Sequence, residues 1–277
     1  MKNPSFVMTS DEMQAFKNGD YMKTGAVLGG FEGIYVSWQT DPKAIKKILP
    51  APLDFFLPIA TAYVANVAKP NYAAPYLEAG IGVPAIYEGA MGFYFINFQL
   101  KGEGAAMGTF LGRENGGIPK KFADELVLTR DGNAVKAYVE RDGVRLIDID
   151  AVIGVYNTPD AATLFAPYTP GAVAEGCNYL YKFDFDQMPD GTTAFSNLRL
   201  RQSFSKSTVH EFLPATCKVS LQSSENDPWA ELPIVKVLGG GYTNLDMHLV
   251  GDHTICQVDM DELPKLLKGK FDKVFLG

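Results

Sequence analysis

The stretch Thr129–Ile149, TRDGNAVKAYVERDGVRLIDI, contains two Asp-Gly pairs, Asp131-Gly132 and Asp142-Gly143. The segments beside each pair are short, rich in Val, Ile and Tyr, and partly alternate apolar with polar residues. Asp-Gly is a favoured central pair of the tight turn that joins two antiparallel strands, because both residues can adopt a positive φ. The stretch therefore predicts consecutive strands joined by two hairpins.

Strand-like segments of the same kind recur along the chain. They are short, rich in β-branched and aromatic residues, and bounded by turn residues. No regular alternation of strand with long helix is present, which argues against a doubly wound parallel sheet. We predict an α+β fold that is mostly antiparallel β, with a large barrel-like sheet. The segments are GIYVSWQT (33–40), AMGFYFINFQL (90–100), YLYKFDFDQ (179–187), AFSNLRLRQSF (194–204) and TCKVSLQS (216–223).

Only three short helices are predicted beside this sheet. In DPKAIKKILP (41–50), Asp41 is expected to cap the helix and Pro42 to occupy its first position. The other two are expected at Ser10–Gly19, with its serine as the N-cap, and at Asp259–Gly269. Residues 157–176 form the longest expected connection, and we treat residues 1–277 as a single domain.

The composition excludes several classes of protein. The formal net charge is −7 and the pI is about 5.1, whereas nucleic-acid binding depends on clustered Lys and Arg. The three cysteines, Cys177, Cys217 and Cys256, form no CxxC pair, which fits a reducing compartment. The first residues lack the apolar core of a secretory signal, and residues 55–68 are too short to span a bilayer. We expect a soluble, cytoplasmic protein with no nucleic-acid or membrane partner.

Signatures of metal and cofactor sites are missing from the sequence. His248 and His253 are five residues apart in a strand-like segment, so they would face opposite sides, and His210 is expected to be structural. GEGAAMG (102–108) has Met107 where a dinucleotide fingerprint needs its third glycine. We therefore expect neither a metal nor a cofactor.

The feature that remains is a pair of adjacent lysines, Lys120 and Lys121, behind a Gly-Gly-Ile-Pro bend. A neutral lysine amine can attack a ketone, and the resulting iminium stabilises the carbanion left when a neighbouring bond breaks. Lowering a lysine pKa from ~10.4 to ~7 requires roughly 4.6 kcal/mol. Repulsion by a second ammonium ~6 Å away supplies about 2.8 kcal/mol at an effective dielectric constant of ~20. Burial can contribute more, so desolvation is expected to dominate. A solvated turn is the alternative interpretation of Pro-Lys-Lys.

Four segments in collinear order resemble the acetoacetate decarboxylase family. They are TDPKAIKKILPAPL (40–53), YLEAGIGVPA (76–85), GRENGGIPKKF (112–122) and a closing part that begins at TVHEFLPATCKVSL (208–221). The resemblance implies that family's barrel or cone of strands with a few flanking helices, and assembly into a homo-oligomer.

The resemblance also implies roles for individual residues. Lys120 matches the Schiff-base nucleophile, Lys121 the neighbour that influences it, and Glu78 the active-site glutamate that handles protons. A surface-turn carboxylate is the alternative for Glu78. Arg113 and Glu114 match a Gly-Arg-Glu motif and could bind substrate, although a buried structural ion pair is an equally good interpretation.

Two positions depart from the family pattern. Phe31 falls where the family has an arginine near the substrate carboxylate, and Tyr63 falls where it has a second pocket glutamate. Replacing arginine by phenylalanine removes a fixed cation and adds apolar bulk. A substrate larger or less polar than acetoacetate is therefore expected.

The function predicted from these residues is cofactor-independent Schiff-base lyase activity, most simply decarboxylation of a β-keto acid through an iminium at Lys120. One alternative keeps Lys120 and makes the reaction an aldol condensation or dehydration of a keto acid, as in some relatives of the family. Another is a non-catalytic protein that binds an apolar small molecule, for which the aromatic strand at 90–100 would be suitable.

Overall fold

The computed structural model describes residues 5–276, apart from the side chains of residues 274 and 276. The strands are β1 (Val27–Gln39), β2 (Ile59–Pro70), β3 (Tyr76–Tyr87), β4 (Ala90–Lys101), β5 (Lys120–Phe122), β6 (Glu125–Asp131), β7 (Ala134–Arg141), β8 (Val144–Ile153), β9 (Val173–Gln187), β10 (Thr193–Leu221) and β11 (Lys236–Gln257). The α-helices are α1 (Ser10–Asn18), α2 (Asp20–Thr24), α3 (Pro42–Ile48), α4 (Ala105–Phe110), α5 (Ala161–Phe165), α6 (Pro264–Lys270) and α7 (Lys273–Leu276). A π-helical turn follows α4 at Leu111–Asn115, and 3-10 turns lie at Ala166–Tyr168, Trp229–Glu231 and Met260–Glu262.

All strands belong to one 11-stranded sheet that closes on itself. Ten strands follow the order β11-β1-β2-β3-β4-β9-β10-β8-β7-β6, and β5 pairs with β4 beside this path. The additional pairing of β10 with β11 joins the strands from β11 to β10 into a ring. The pairing is antiparallel except for β4 with β5 and β4 with β9. Strands β8, β7 and β6 extend the sheet beyond the ring. The predicted mostly antiparallel, barrel-like fold is confirmed.

The hairpins predicted from the two Asp-Gly pairs are present. Gly132 at φ 57° joins β6 to β7, while Asp142 at φ 54° and Gly143 at φ 72° join β7 to β8. The second turn uses positive φ at both residues of its Asp-Gly pair, whereas the first uses it at Gly132 alone and has Asp131 as the last residue of β6.

Strand β3 is an element that the sequence did not predict, because its glycines resemble a turn. A Cβ on Gly80 would lie 2.9 Å from the ring of Tyr63 and 3.1 Å from that of Phe98. A Cβ on Gly82 would lie 2.3 Å from the carbonyl oxygen of Tyr94. The glycines therefore allow close packing against neighbouring strands and do not interrupt the strand.

The predicted helices are present with small changes at their ends. Asp41 caps α3 by accepting a hydrogen bond from the Lys43 N–H, as expected. The N-cap of α1 is Thr9 and not Ser10, because Thr9 and Glu12 form a reciprocal capping box. Near the C-terminus, the segment splits into the 3-10 turn at Met260–Glu262 and α6, which continues past Gly269.

The side chains of the barrel strands alternate between two apolar clusters. Along β2, Tyr63, Ala65 and Val67 belong to one cluster, whereas Ala62 and Val64 belong to the other. The cluster that contains Tyr63 also contains Phe98, whose ring faces Lys120. Among the described residues, no helix has both the length and the apolar character needed to cross a bilayer.

Candidate active site

The bend before the lysine pair fixes where the two side chains point. Gly117 has φ 79°, and a Cβ there would lie 2.8 Å from the carbonyl oxygen of Tyr181, so the position requires glycine. The Phe98 N–H donates to the Pro119 carbonyl at 2.8 Å, which starts the parallel pairing of β5 with β4. Because successive side chains in a strand alternate, Lys120 and Lys121 lie on opposite faces.

Lys120 and Glu78 form a buried ion pair. The Nζ of Lys120 lies 2.8 Å from Oε2 of Glu78, and the two residues are 5% and 3% exposed. Glu78 is held on β3, opposite Leu100 of β4 and Ala65 of β2. The surface-turn alternative for Glu78 is wrong, because the residue lies within a central strand of the barrel.

Tyr63 contacts the other oxygen of the same carboxylate. Its hydroxyl donates a 2.5 Å hydrogen bond to Oε1 of Glu78. The ring of Tyr63 also belongs to the apolar cluster beside the ion pair. Burial raises the pKa of Tyr63 well above its ordinary value, and the nearby Glu78 raises it further. Tyr63 is therefore a neutral hydrogen-bond donor at physiological pH.

Aromatic rings surround the Lys120–Glu78 pair. The ring of Phe98 lies 5.8 Å from Nζ of Lys120, and the rings of Phe31 and Tyr63 are 5.5 Å apart. Phe31 is 1% exposed and lies inside the same apolar cluster as Tyr63. Among the described residues, Glu78 has no ion-pair partner other than Lys120.

Gly112 provides the space in which the Lys120 side chain lies. A Cβ at this position would approach Cδ and Cε of Lys120 to 2.9 Å and Nζ to 3.2 Å. Gly112 belongs to the π-helical turn at Leu111–Asn115. The glycine of the Gly-Arg-Glu motif therefore has a direct packing contact with the candidate nucleophile.

The structure does not bring Lys121 to the Lys120–Glu78 pair. Nζ of Lys121 lies 3.2 Å from Asp227 and 3.1 Å from Asp272, and donates to the Asn226 carbonyl at 2.9 Å. Arg141 binds the same two aspartates. Lys121 is thus a member of a compensated ion cluster on the opposite face of β5, and its geometry favours a structural role.

Among the described residues, neither Arg113 nor Glu114 forms a hydrogen bond or ion pair with Lys120 or Glu78. Nε of Arg113 lies 2.9 Å from Glu114, and its Nη1 reaches the Lys270 carbonyl at 3.4 Å. The guanidinium lies 5.9 Å from the centroid of the Phe271 ring. The ion pair exists, but the Glu114 side chain is 68% exposed, so the expectation that it is buried is wrong.

Three tyrosines near Glu78 were not identified from the sequence. Tyr76 precedes Glu78 by two residues on β3 and therefore shares its face, and its hydroxyl lies 2.5 Å from that of Tyr72. Tyr35 packs on Tyr63 with ring centroids 5.2 Å apart. Burial and the proximity of Glu78 raise the pKa of all three. The period-2 spacing of Tyr76 and Glu78 is the signal that could have found the first of them.

The arrangement is suited to carbonyl chemistry. A buried amine, a carboxylate within proton-transfer distance and a neutral hydroxyl can together form an iminium and move a proton next to it. Among residues 5–276, no three His, Cys, Asp or Glu side chains are grouped so as to hold a metal ion.

Sequence comparison relates the chain to a known family. The acetoacetate decarboxylase (ADC) family profile matches residues 9–257. The chain is 34% identical over 278 residues to the "CLA biosynthesis isomerase" of Lactiplantibacillus plantarum, which covers 99% of this chain and 96% of that protein. It is 25% identical to "Acetoacetate decarboxylase 2" of Mesorhizobium japonicum, over 84% of this chain and 83% of that protein.

Solved structures show the same fold. The acetoacetate decarboxylase of Legionella pneumophila superposes with a TM-score of 0.69 at 15% identity, covering 92% of this chain and 98% of the other. The enduracididine biosynthesis enzyme MppR, in complex with pyruvate, gives a TM-score of 0.62 at 14% identity, over 83% and 89% of the two chains. With a family profile that spans most of its length, the chain belongs to the acetoacetate decarboxylase family.

Proposed function

We propose that the protein is a lysine-dependent isomerase that shifts a carbon–carbon double bond in a weakly polar unsaturated ketone. The observation that carries this proposal is the buried pair of Lys120 and Glu78, 2.8 Å apart and enclosed by aromatic side chains. Such a site combines an amine for iminium formation with a base beside it.

The first half of the proposed reaction forms the iminium. Glu78 accepts a proton from the Lys120 ammonium, and the free amine then adds to the ketone carbon. One amine proton moves to the former carbonyl oxygen during the addition, and return of the first proton through Glu78 lets that oxygen leave as water. The products are a protonated C=N bond on Lys120 and a carboxylate on Glu78, so the charges of the original ion pair are preserved.

The second half moves the double bond. The Glu78 carboxylate removes a proton from the carbon between the iminium and the C=C bond, which gives a neutral dienamine. Glu78 then returns the proton to the far end of the diene, and water hydrolyses the conjugated iminium to release an α,β-unsaturated ketone. Tyr63, which donates to Oε1 of Glu78, holds the carboxylate in one orientation during both transfers.

The surroundings of Lys120 favour a neutral substrate over a small keto acid. A substrate carboxylate would lie near the negative Glu78, and Phe31 stands where the resemblance places the family's arginine. Burying an anion without a cationic partner is costly. The relative that is 34% identical over nearly the whole chain is itself named an isomerase, which supports the same choice.

Decarboxylation of a β-keto acid larger or less polar than acetoacetate is the second candidate. It uses the same iminium, but CO2 leaves in place of the proton and the enamine is then protonated. The names of several relatives favour it, including the Mesorhizobium japonicum protein. Aldol or dehydration chemistry at Lys120 and non-catalytic binding of an apolar molecule are the weaker alternatives.

The experiment compares three substrates on the wild-type protein and on Lys120→Met. They are a neutral β,γ-unsaturated methyl ketone, benzoylacetate and acetoacetate. We expect the ketone to become conjugated, as measured by ultraviolet absorbance and NMR, and the activity to be lost in Lys120→Met. CO2 release from benzoylacetate without isomerisation of the ketone would refute the isomerase proposal and support the β-keto acid decarboxylase. Turnover that survives in Lys120→Met would refute both.

The homo-oligomeric state and the cytoplasmic location remain proposals. Strand β6 lies at the end of the sheet order, and Met13 and Phe16 of α1 are exposed apolar side chains. A second copy of the chain could cover these surfaces. Light scattering coupled to gel filtration tests the assembly.

A further inference from the structure

A cleft of about 280 Å³ lies on the face of the barrel opposite to Lys120. Its lining includes Ile81 of β3 and Asn97 of β4. Asn97 is adjacent to Phe98, whose ring faces Lys120, so the two side chains point to opposite faces of β4. The other walls come from α3, α6 and the 3-10 turn at Trp229–Glu231.

The floor of this cleft contains two polar side chains, Asn97 and Asp227, whose polar atoms are bonded to other groups of the protein. Asn97 Oδ1 accepts from the Trp229 indole at 3.0 Å and from Gln99 at 2.7 Å, and its amide donates to the Gly269 carbonyl at 3.0 Å. Asp227 is compensated by Lys121 and Arg141. Water on this floor would find few free partners, whereas an apolar body would displace it at little cost.

The remaining lining is apolar within and basic at the mouth. Ile48, Ile81 and Leu232 contribute to the interior, and three lysines lie at the mouth. Lys47 pairs with Glu231 and Lys265 with Glu262. These pairs compensate two of the three positive charges.

Lys268 differs from the other two lysines. It is exposed, and its Nζ reaches only the Glu225 carbonyl, at 3.5 Å. Within the described residues it has no carboxylate within ion-pair distance. Its ammonium is therefore available to an anion at the mouth of the cleft.

We propose that this cleft binds a small amphipathic organic anion, with its apolar body on Ile48, Ile81 and Trp229 and its carboxylate at Lys268. The volume corresponds to roughly nine water-sized groups, which fits an anion with a short hydrocarbon chain. The site is separate from the Lys120–Glu78 pair and does not depend on the proposed isomerase reaction.

Hexanoate and hexanol are the matched probes, because they share a chain length and differ in charge. Titration of tryptophan fluorescence is expected to give a hexanoate Kd of about 1 mM, with hexanol at least about threefold weaker. Lys268→Gln is expected to weaken hexanoate binding about threefold and leave hexanol unchanged. Lys46→Gln on α3 removes the same charge outside the lining and is expected to have no effect.

Two further variants test the location. Ile48→Trp fills the cleft from α3 and is expected to abolish binding of both probes, and circular dichroism checks that it folds. Lys120→Met is expected to bind hexanoate normally. The proposal is overturned if hexanol binds as tightly as hexanoate, if Lys46→Gln and Lys268→Gln act equally, or if Lys120→Met loses binding while Lys268→Gln retains it. Absence of saturable binding up to about 10 mM hexanoate would also overturn it.

Discussion

The Nζ of Lys120 lies 2.8 Å from Oε2 of Glu78, with both residues almost fully buried in an aromatic cluster. A charged pair in such surroundings is costly to form and costly to break, because each ion loses its hydration and depends on the other. The protein therefore keeps an amine and a carboxylate together in an apolar setting, as the proposed iminium chemistry requires. This relationship determines the behaviour of several variants.

Removing one member of the pair is expected to destabilise the fold more than removing both. Glu78→Gln leaves the Lys120 ammonium without a counter-charge and is expected to lower the free energy of unfolding by roughly 3–5 kcal/mol. Adding Lys120→Met to Glu78→Gln removes the unpaired charge and should recover at least ~2 kcal/mol. Urea unfolding of the single and double variants measures both values. Losses that simply add would contradict this account of the pair.

Phe31→Arg is expected to change substrate preference. The new guanidinium would lie beside Tyr63, whose ring centroid is 5.5 Å from that of Phe31, and would attract a carboxylate near Lys120. We expect the ratio of acetoacetate decarboxylation to neutral-ketone conversion to rise by about tenfold, or ~1.4 kcal/mol in transition-state free energy. Phe31→Leu, which changes size without adding charge, is the control. An equal rise in both variants would show that space and not charge determines the preference.

Gly112→Ala is expected to impair the reaction without unfolding the protein. The added methyl group would lie 2.9 Å from Cδ and Cε of Lys120, so the lysine side chain must move. A displacement of a catalytic group by about 1 Å can reduce a rate by up to ~10²-fold. We expect kcat to fall by about tenfold or more while thermal unfolding shows a stable protein. Unchanged kcat would mean that the position of Lys120 at rest is not the reactive one.

Lys270 makes stability depend on pH. Its Nζ lies 4.3 Å from the centroid of the Phe183 ring and 3.4 Å from the Tyr181 carbonyl, and burial lowers the pKa of Lys270 to about 7. Between that value and ~10.4, the unfolded chain binds a proton that the folded protein lacks, so stability rises with pH across this window.

Lys270→Met removes this proton linkage. The variant is expected to be more stable than the wild type near pH 7, and the advantage should shrink by up to ~1.4 kcal/mol per pH unit as the pH approaches 9. The exposed Lys268→Met serves as the control, with a difference from the wild type that does not change with pH. A constant advantage for Lys270→Met across the range would show that its ammonium is accommodated in the fold.

Much of the fold was predictable because local sequence and tertiary structure agree. The turns at Gly132 and at Asp142-Gly143 require positive φ, and Asp41 with Pro42 specifies the start of α3. Strand β3 was missed because Gly80 and Gly82 are needed only where side-chain rings and backbone atoms of neighbouring strands leave no room for a Cβ. Such contacts are long-range and leave no local pattern.

The site was predictable in part for similar reasons. The motif at Gly112–Phe122 identified Lys120, and counting from matched motifs placed Phe31 and Tyr63, which the barrel brings together with Glu78. The ion cluster around Lys121 was not foreseeable. Its partners, Asp227 and Asp272, lie more than a hundred residues further along the chain.

Trapping of the covalent intermediate tests the central claim most directly. The protein is incubated with the neutral unsaturated ketone, reduced with borohydride, and analysed by intact mass and peptide mapping. We expect one adduct with the mass of the ketone less water plus two hydrogens on the peptide that contains Lys120, and none in Lys120→Met. An adduct located on Lys121 or Lys270, or rapid conversion of the ketone with no adduct on Lys120, would contradict the account.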